Sequence, residues 1–238
     1  MDAPRILKFR TPREAAEACG ARTFELLDEA RRERGIATLA VSGGSTPRIM
    51  FEWMARQPFD WSGVHIFQVD ERCFPPGHQQ SNFRMLRESL LDAARIPEAQ
   101  VHRVLGERDP AEAARIYCET IRKVLQLGPD ELPAFDVIQR GMGPDAHTAS
   151  LFPGEPAIED RTGLAAALRV EKMQQHRVTL LRGVLEKAKS TLLLVSGPDK
   201  AEALRSVLRE PFDPLRYPCQ IASPETVWFI DEAAASRL

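Results

Sequence analysis

The chain has few of the residues that would point to a specialised protein class. Its four cysteines, Cys19, Cys73, Cys118 and Cys219, are far apart and none lies in a Cys-x-x-Cys pair. That spacing supports neither a structural zinc site nor a redox dithiol, and the four read as reduced thiols of a cytoplasmic protein. No apolar run approaches the roughly 18 residues of a membrane span. The first residues, MDAPRILKFRTPREAAE, carry charges inside the stretch where a signal peptide needs an uninterrupted apolar segment. No charge of one sign dominates either: 32 basic and 34 acidic residues leave a net charge of −2. The chain as a whole therefore has no attraction for nucleic acid or an anionic membrane, and any anion site must be local. Internal repeats and low-complexity tracts are also missing. The Pro/Gly loop at 72–77 is too short to separate domains, so residues 1–238 read as one.

What is present is a globular composition. Hydrophobic residues make up 43% of the 238 and charged residues 28%, which suffices for a sizeable buried core. Thr11-Pro12-Arg13-Glu14 predicts a helix start, with Thr11 as N-cap, Pro12 in the first turn and Glu14 completing a capping box. The helix runs to about Arg34 and ends at Gly35. Short apolar runs predict strands at 36–41, 64–69, 135–140, 177–181, 191–197 and 226–230, with RILKF (5–9) a further short apolar segment. Helices are expected from Pro47, after Ser81 or Asn82, over 110–126 and over 198–208. This alternation predicts an α/β fold, a modified Rossmann-like and mostly parallel sheet with helices on both faces. Residues around 155–185 are left for a small subdomain.

In such a sheet the chemistry collects in loops after the strands, here 42–47, 70–82, 141–154 and 196–200. Ser42-Gly43-Gly44-Ser45-Thr46-Pro47 joins a strand to a helix. Glycines let backbone N–H groups approach a ligand, and the helix start adds a positive dipole end, so the turn suits a phosphate. It serves equally as a tight connection, being neither G-x-G-x-x-G nor a Walker loop with its lysine. Asp70-Glu71-Arg72 puts three charges after a buried strand, where they either work or merely meet water.

The most informative stretch is GMGPDAHTASLFPG, residues 141–154. Asp145 and His147 stand two apart in a glycine-rich loop, where an imidazole can take a proton from water and a carboxylate can orient its ring. The remaining histidines, His65, His78, His102 and His176, show no ligand spacing, so no metal is expected. Arg177 and Lys200 are cations beside a strand start and a strand-to-helix turn. They gain a role if an anion is held at residues 43–46.

Taken together, SGGSTP, DERCFPP with the following SN, GMGPDAHTASLFPG, RVTLL, SGPDKA and VWFIDEAA resemble the 6-phosphogluconolactonase family, related to the glucosamine-6-phosphate deaminases. The pieces occur in the family's order over residues 39–234. The resemblance implies hydrolysis of 6-phospho-D-glucono-1,5-lactone to 6-phosphogluconate, the second step of the oxidative pentose phosphate pathway, without metal or other cofactor. It implies that Gly43, Gly44, Ser45 and Thr46 hold the phosphate with Arg177 and Lys200. His147 would be the base, Asp145 would tune it, and Asp70 and Arg72 would line the sugar pocket. The partner implied is a small sugar-phosphate lactone, and the protein a monomer or small homo-oligomer.

Two features depart from the family pattern. Ala146 stands where the family usually has glycine between Asp and His, and Gln139-Arg140 replace apolar or small residues before the Gly-x-Gly. A left-handed Ala146 costs roughly 1–2 kcal/mol, so the loop either avoids that conformation or shifts. Three alternatives stay open: an amino-sugar phosphate deaminase or isomerase, a non-catalytic sugar-phosphate sensor, and a serine hydrolase through Ser45 or Ser150. The first is disfavoured by Leu151-Phe152-Pro153 where those enzymes carry an acidic residue. The last lacks a G-x-S-x-G elbow.

Overall fold

A computed structural model describes residues 5–238. Strand β1 (Arg5–Phe9) leads into helix α1 (Pro12–Arg34), which starts and stops as its residues dictate. The Thr11 hydroxyl accepts from the Glu14 amide at 3.1 Å, and Gly35 caps the other end. Glu14 does not close the capping box on Thr11. Its carboxylate reaches one residue further back, to the Arg10 amide and guanidinium. After α1 come β2 (Ala37–Val41), α2 (Ser45–Met54), β3 (Val64–Gln68), β4 (Asp70–Arg72) and α3 (Asn82–Leu86), the last continued by a π-helical turn to Leu91. Two-residue β5 (Val101–His102) precedes α4 (Pro110–Leu125), whose N-cap is Asp109. Then follow β6 (Val137–Arg140), β7 (Ala165–Val170), β8 (Gln175–Leu180), α5 (Arg182–Lys187), β9 (Ser190–Val195), α6 (Ala201–Arg209) and β10 (Thr226–Asp231).

Seven strands form one sheet in the order β1-β10-β9-β6-β2-β3-β5, every pair parallel. Alternation along each strand sends successive side chains to opposite faces. Leu39 and Val41 join the core under α1, α2 and α3, whereas Ala40, between them, packs with Phe67, Ile138 and Tyr117 on the α4 side. A third cluster joins α6 to the same sheet through Leu193, Val195, Trp228 and Ile230. Helices therefore cover both faces, as the alternation of strands and helices predicts.

Three expectations shift in detail. Helix α2 begins at Ser45, two residues before Pro47. The strand expected at 135–140 pairs only from Val137, because the Asp136 carboxylate turns to the Thr38 amide and hydroxyl, with Arg34 and Lys189 alongside. The RVTLL segment lies not in the parallel sheet but at the centre of a second, antiparallel one, β4-β8-β7. This sheet uses the stretch around 155–185 together with Asp70–Arg72, and it lies against α4, where the Cys118 thiol donates to Ala165 O.

β2 leads outward through β3 to β5, and β6 leads the opposite way through β9 to β10. The chain thus reverses its direction of travel between β2 and β6. Loops leaving those two neighbours part there and open a crevice, the usual place for a ligand in an open parallel sheet.

Candidate active site

A cavity of about 240 Å³ fills this crevice. Gly43, Gly44, Ser45 and Thr46 line it after β2, Gly141–Pro144 and His147–Ala149 after β6, and Ser196 and Lys200 after β9. Asp70, Arg72 and Arg177 come from the second sheet. Asp145 is the single member of the sequence-derived set outside the lining; it stands behind His147. The structure thus gathers residues that are up to 157 positions apart in the chain.

The His147 ring is held from several sides. Its Nδ1 lies 2.5 Å from Asp145 Oδ1, and its ring centroid lies 4.2 Å from that of Phe152. Gly143 makes room: a Cβ there would fall 2.0 Å from the imidazole. Burial pushes the His147 pKa below the usual imidazole value, against the opposing pull of the Asp145 hydrogen bond and charge. Burial opposes charge on Asp145 too, but hydrogen bonds from Lys172 and His147 overcome it and hold its carboxyl at about 2. The pair is therefore an ionised carboxylate bonded to a neutral ring, with Nδ1 as donor and Nε2 left as the basic nitrogen.

The loop does adopt the left-handed turn in question. Ala146 has φ 65° and Ala149 φ 53°. The cost at Ala146 is offset locally: its carbonyl accepts from the Cys219 amide at 3.0 Å and its methyl is buried with α6 and β10. Arg140 does not enter the cavity. It is fully buried below the loop, donating to Thr148 Oγ1 and to the Ile221 carbonyl, while Thr148 donates on to Gly141 O at 2.9 Å. Arg140 thus props the loop from beneath.

The opposite wall is built for an anion. Gly44, the residue before helix α2, has φ 126°, and among the described residues no side chain caps the helix's first turn. Gly43 is needed for close approach, since a Cβ would fall 1.9 Å from Asn82 Oδ1. Ser42 Oγ, Ser196 Oγ, Arg72 Nε and Arg177 Nε are buried without a hydrogen-bond partner among the described residues, and all four residues line the cavity. Donors in this state carry a desolvation cost that an anionic ligand removes. Arg72 and Arg177 face each other across the β4–β8 ladder, and Lys200 follows β9 beside Asp199.

Asp70 is buried, and its carboxylate accepts from the Ser150 hydroxyl at 2.8 Å. Ser150 is thereby committed to Asp70 and Arg177, with no imidazole to activate it, so the geometry does not make Ser150 a nucleophile. Glu71, given no role by sequence reasoning, is buried and accepts from Gln68 Nε2, Ser81 Oγ and the amides of Arg72, Asn82 and Phe83. It ties β4 to the start of α3. Its position inside Asp-Glu-Arg was visible, but nothing local says which carboxylate turns inward. Ser42 and Ser196 lie inside loops singled out from the sequence but were given no role of their own, and Lys172 carried no local signal.

The family described as glucosamine-6-phosphate isomerases/6-phosphogluconolactonase matches residues 10–230. This chain belongs to that family. A 6-phosphogluconolactonase of Synechocystis sp. is 37% identical over 215 residues, 89% of each chain. A second of that description, from Nostoc sp., is 37% identical over 225 residues, 92% of this chain and 93% of the other. Among solved structures, the 6-phosphogluconolactonase of Thermotoga maritima superposes with a TM-score of 0.84 at 28% identity, covering 96% of this chain and all of that one. A monomeric glucosamine-6-phosphate deaminase at 18% identity and a TM-score of 0.82 shares the fold.

Proposed function

We propose that the chain hydrolyses 6-phospho-D-glucono-1,5-lactone to 6-phospho-D-gluconate, the lactone-opening step of the oxidative pentose phosphate pathway. The observation that carries this reading is the pairing of two walls across one crevice. One presents a neutral imidazole on an ionised aspartate; the other presents an uncapped helix N-terminus with Arg177 and Lys200. Family membership and the named relatives support the same substrate.

The phosphate sits at Gly43–Thr46 with Arg177 and Lys200, which leaves the lactone ring toward His147. His147 Nε2 takes a proton from water as the oxygen attacks C1. The tetrahedral intermediate collapses by breaking the bond from C1 to the ring oxygen, which takes the proton back from the imidazolium. Asp145 stays ionised throughout and stabilises the transient charge. A positioned base supplies about 10²- to 10⁴-fold, in keeping with a lactone that already opens in water. Within the 141–147 loop the amides of Gly143, Ala146 and His147 are spent on His147 O, Gly143 O and Asp145 Oδ1. Of the amides left over, those of Gly141 and Met142 line the cavity and are the loop's backbone candidates for oxyanion donors.

Amino-sugar deamination fits less well, because Leu151 is fully buried and Phe152 packs on His147, with no carboxylate at either position. A coupled assay on freshly generated 6-phosphogluconolactone, corrected for spontaneous opening, tests the proposal. Hydrolysis no faster than the blank, or release of ammonia from glucosamine 6-phosphate, overturns it.

A further inference from the structure

The tip of the β7–β8 hairpin, Glu171–Gln174, carries two side chains to the site from outside the cavity. Lys172 Nζ bonds to Asp145 Oδ2, the oxygen that His147 leaves free, and lies 4.2 Å from the centroid of the Phe152 ring. Met173 Sδ lies 2.8 Å from an Arg177 guanidinium nitrogen. One lysine therefore touches both groups that hold the imidazole: the carboxylate on Nδ1 and the aromatic ring beside it. Glu171, the other charged residue of 171–175, turns back to Arg169 and Gln174.

We propose that Lys172 is a positioning residue for the base, a clamp supplied by the hairpin that fixes Asp145 against His147 and keeps the ring in its neutral, proton-accepting state. The proposal rests on the lactonase reading for its kinetic consequence only. Lys172 does not line the cavity, so it holds the base without touching the substrate. The charged groups facing His147 are Asp145 from its own loop, Asp70 from β4, Lys172 from the hairpin, and Arg177 beyond Phe152. Asp145 and Asp70 favour the imidazolium; Lys172 opposes it. Removing the lysine charge thus raises the His147 pKa and frees Asp145 to rotate. The ion pair is half-exposed, and a pair of that kind contributes little to folding. Its loss is accordingly read in the site rather than in stability.

The experiment compares Lys172→Met and Lys172→Arg with wild type in two readouts. In the first, kcat and KM are followed against pH. Lys172→Met lowers kcat roughly tenfold through misplacement of the base, leaves KM nearly unchanged and moves the acidic limb to higher pH, whereas Lys172→Arg restores most of both. In the second, the His147 imidazole is titrated by NMR without substrate, and its pKa rises in Lys172→Met. This second readout holds whether or not the lactone is the substrate. An unmoved His147 titration in Lys172→Met overturns the clamp. A wild type inactive on the lactone overturns only the functional reading. Equal losses in the Met and Arg variants with unchanged titration reduce Lys172 to a surface contact and likewise overturn it.

Discussion

Asp145 Oδ1 lies 2.5 Å from His147 Nδ1 while its other oxygen is bonded to Lys172, so a single carboxylate is shared between the His147 ring and a hairpin. The arrangement sets the protonation states of the site. His147→Ala is expected to lower kcat by about 10²- to 10⁴-fold with little change in KM, because the ring acts on water rather than on the phosphate. Steady-state kinetics corrected for spontaneous opening check it. Equal turnover in the variant and wild type removes His147 from the mechanism.

The pH dependence has a definite sign. In the proposed mechanism His147 acts as the free base, and burial depresses its pKa, so the expected acidic limb of activity lies below the ordinary imidazole value. Asp145→Asn removes the charge that favours the imidazolium and leaves at most a weaker, neutral acceptor for Nδ1. The acidic limb then moves to still lower pH even as kcat drops. Asp145 itself titrates at about 2, below its ordinary 3.8. Its stabilising contribution is present above 3.8 and disappears as pH falls toward 2. That contribution is small for a half-exposed pair, so the shift is read by NMR titration of the carboxyl itself; a midpoint at or above 3.8 contradicts the ion-pair account.

Arg177→Ala and Lys200→Ala are expected to act on binding. Charge-assisted hydrogen bonds contribute roughly 1.5–3 kcal/mol, so KM should rise about 10- to 100-fold while kcat stays near wild type. Inorganic phosphate should inhibit wild type competitively and both variants less. A fall in kcat at unchanged KM places these cations elsewhere than on the phosphate.

Gly143 faces the imidazole so closely that Gly143→Ala must displace the ring. A shift of about 1 Å costs on the order of 10²-fold in rate. The variant should fold, since the three atoms nearest the added Cβ all belong to the His147 ring and none to backbone, and a normal thermal transition with lost activity is the expected pair of results.

Ala146 is left-handed and buried, so two effects oppose each other in Ala146→Gly. Relief of the backbone gains about 1–2 kcal/mol. Loss of a buried methyl costs about 0.8 kcal/mol, and the freer unfolded chain about 0.4–1 kcal/mol more. The net change should lie within about 1 kcal/mol of zero. Ala113→Gly, equally buried but inside α4, has no strain to relieve and should cost about 2 kcal/mol. Denaturant titration of the two variants side by side separates them; equal losses remove the strain argument.

Local chemistry determined much of this protein from the sequence alone. The cap at Thr11, the apolar runs that became β2, β3, β6, β9 and β10, and the alternation of strand with helix depend on neighbours within a few residues. They were therefore legible, as was the Asp-Ala-His loop. The tertiary structure decided whatever depends on partners distant in the chain. It turned RVTLL into the middle of a second sheet, because Asp70–Arg72 and Ala165–Val170 were there to pair with it. It made Ala146 left-handed, since the Cys219 amide and the α6 cluster hold it there. It brought Lys172 to Asp145 across 27 positions, a contact with no signature in spacing or composition. A short-range pattern fixes which residues can do chemistry; the loops meeting at the reversal between β2 and β6 fix which of them do it together.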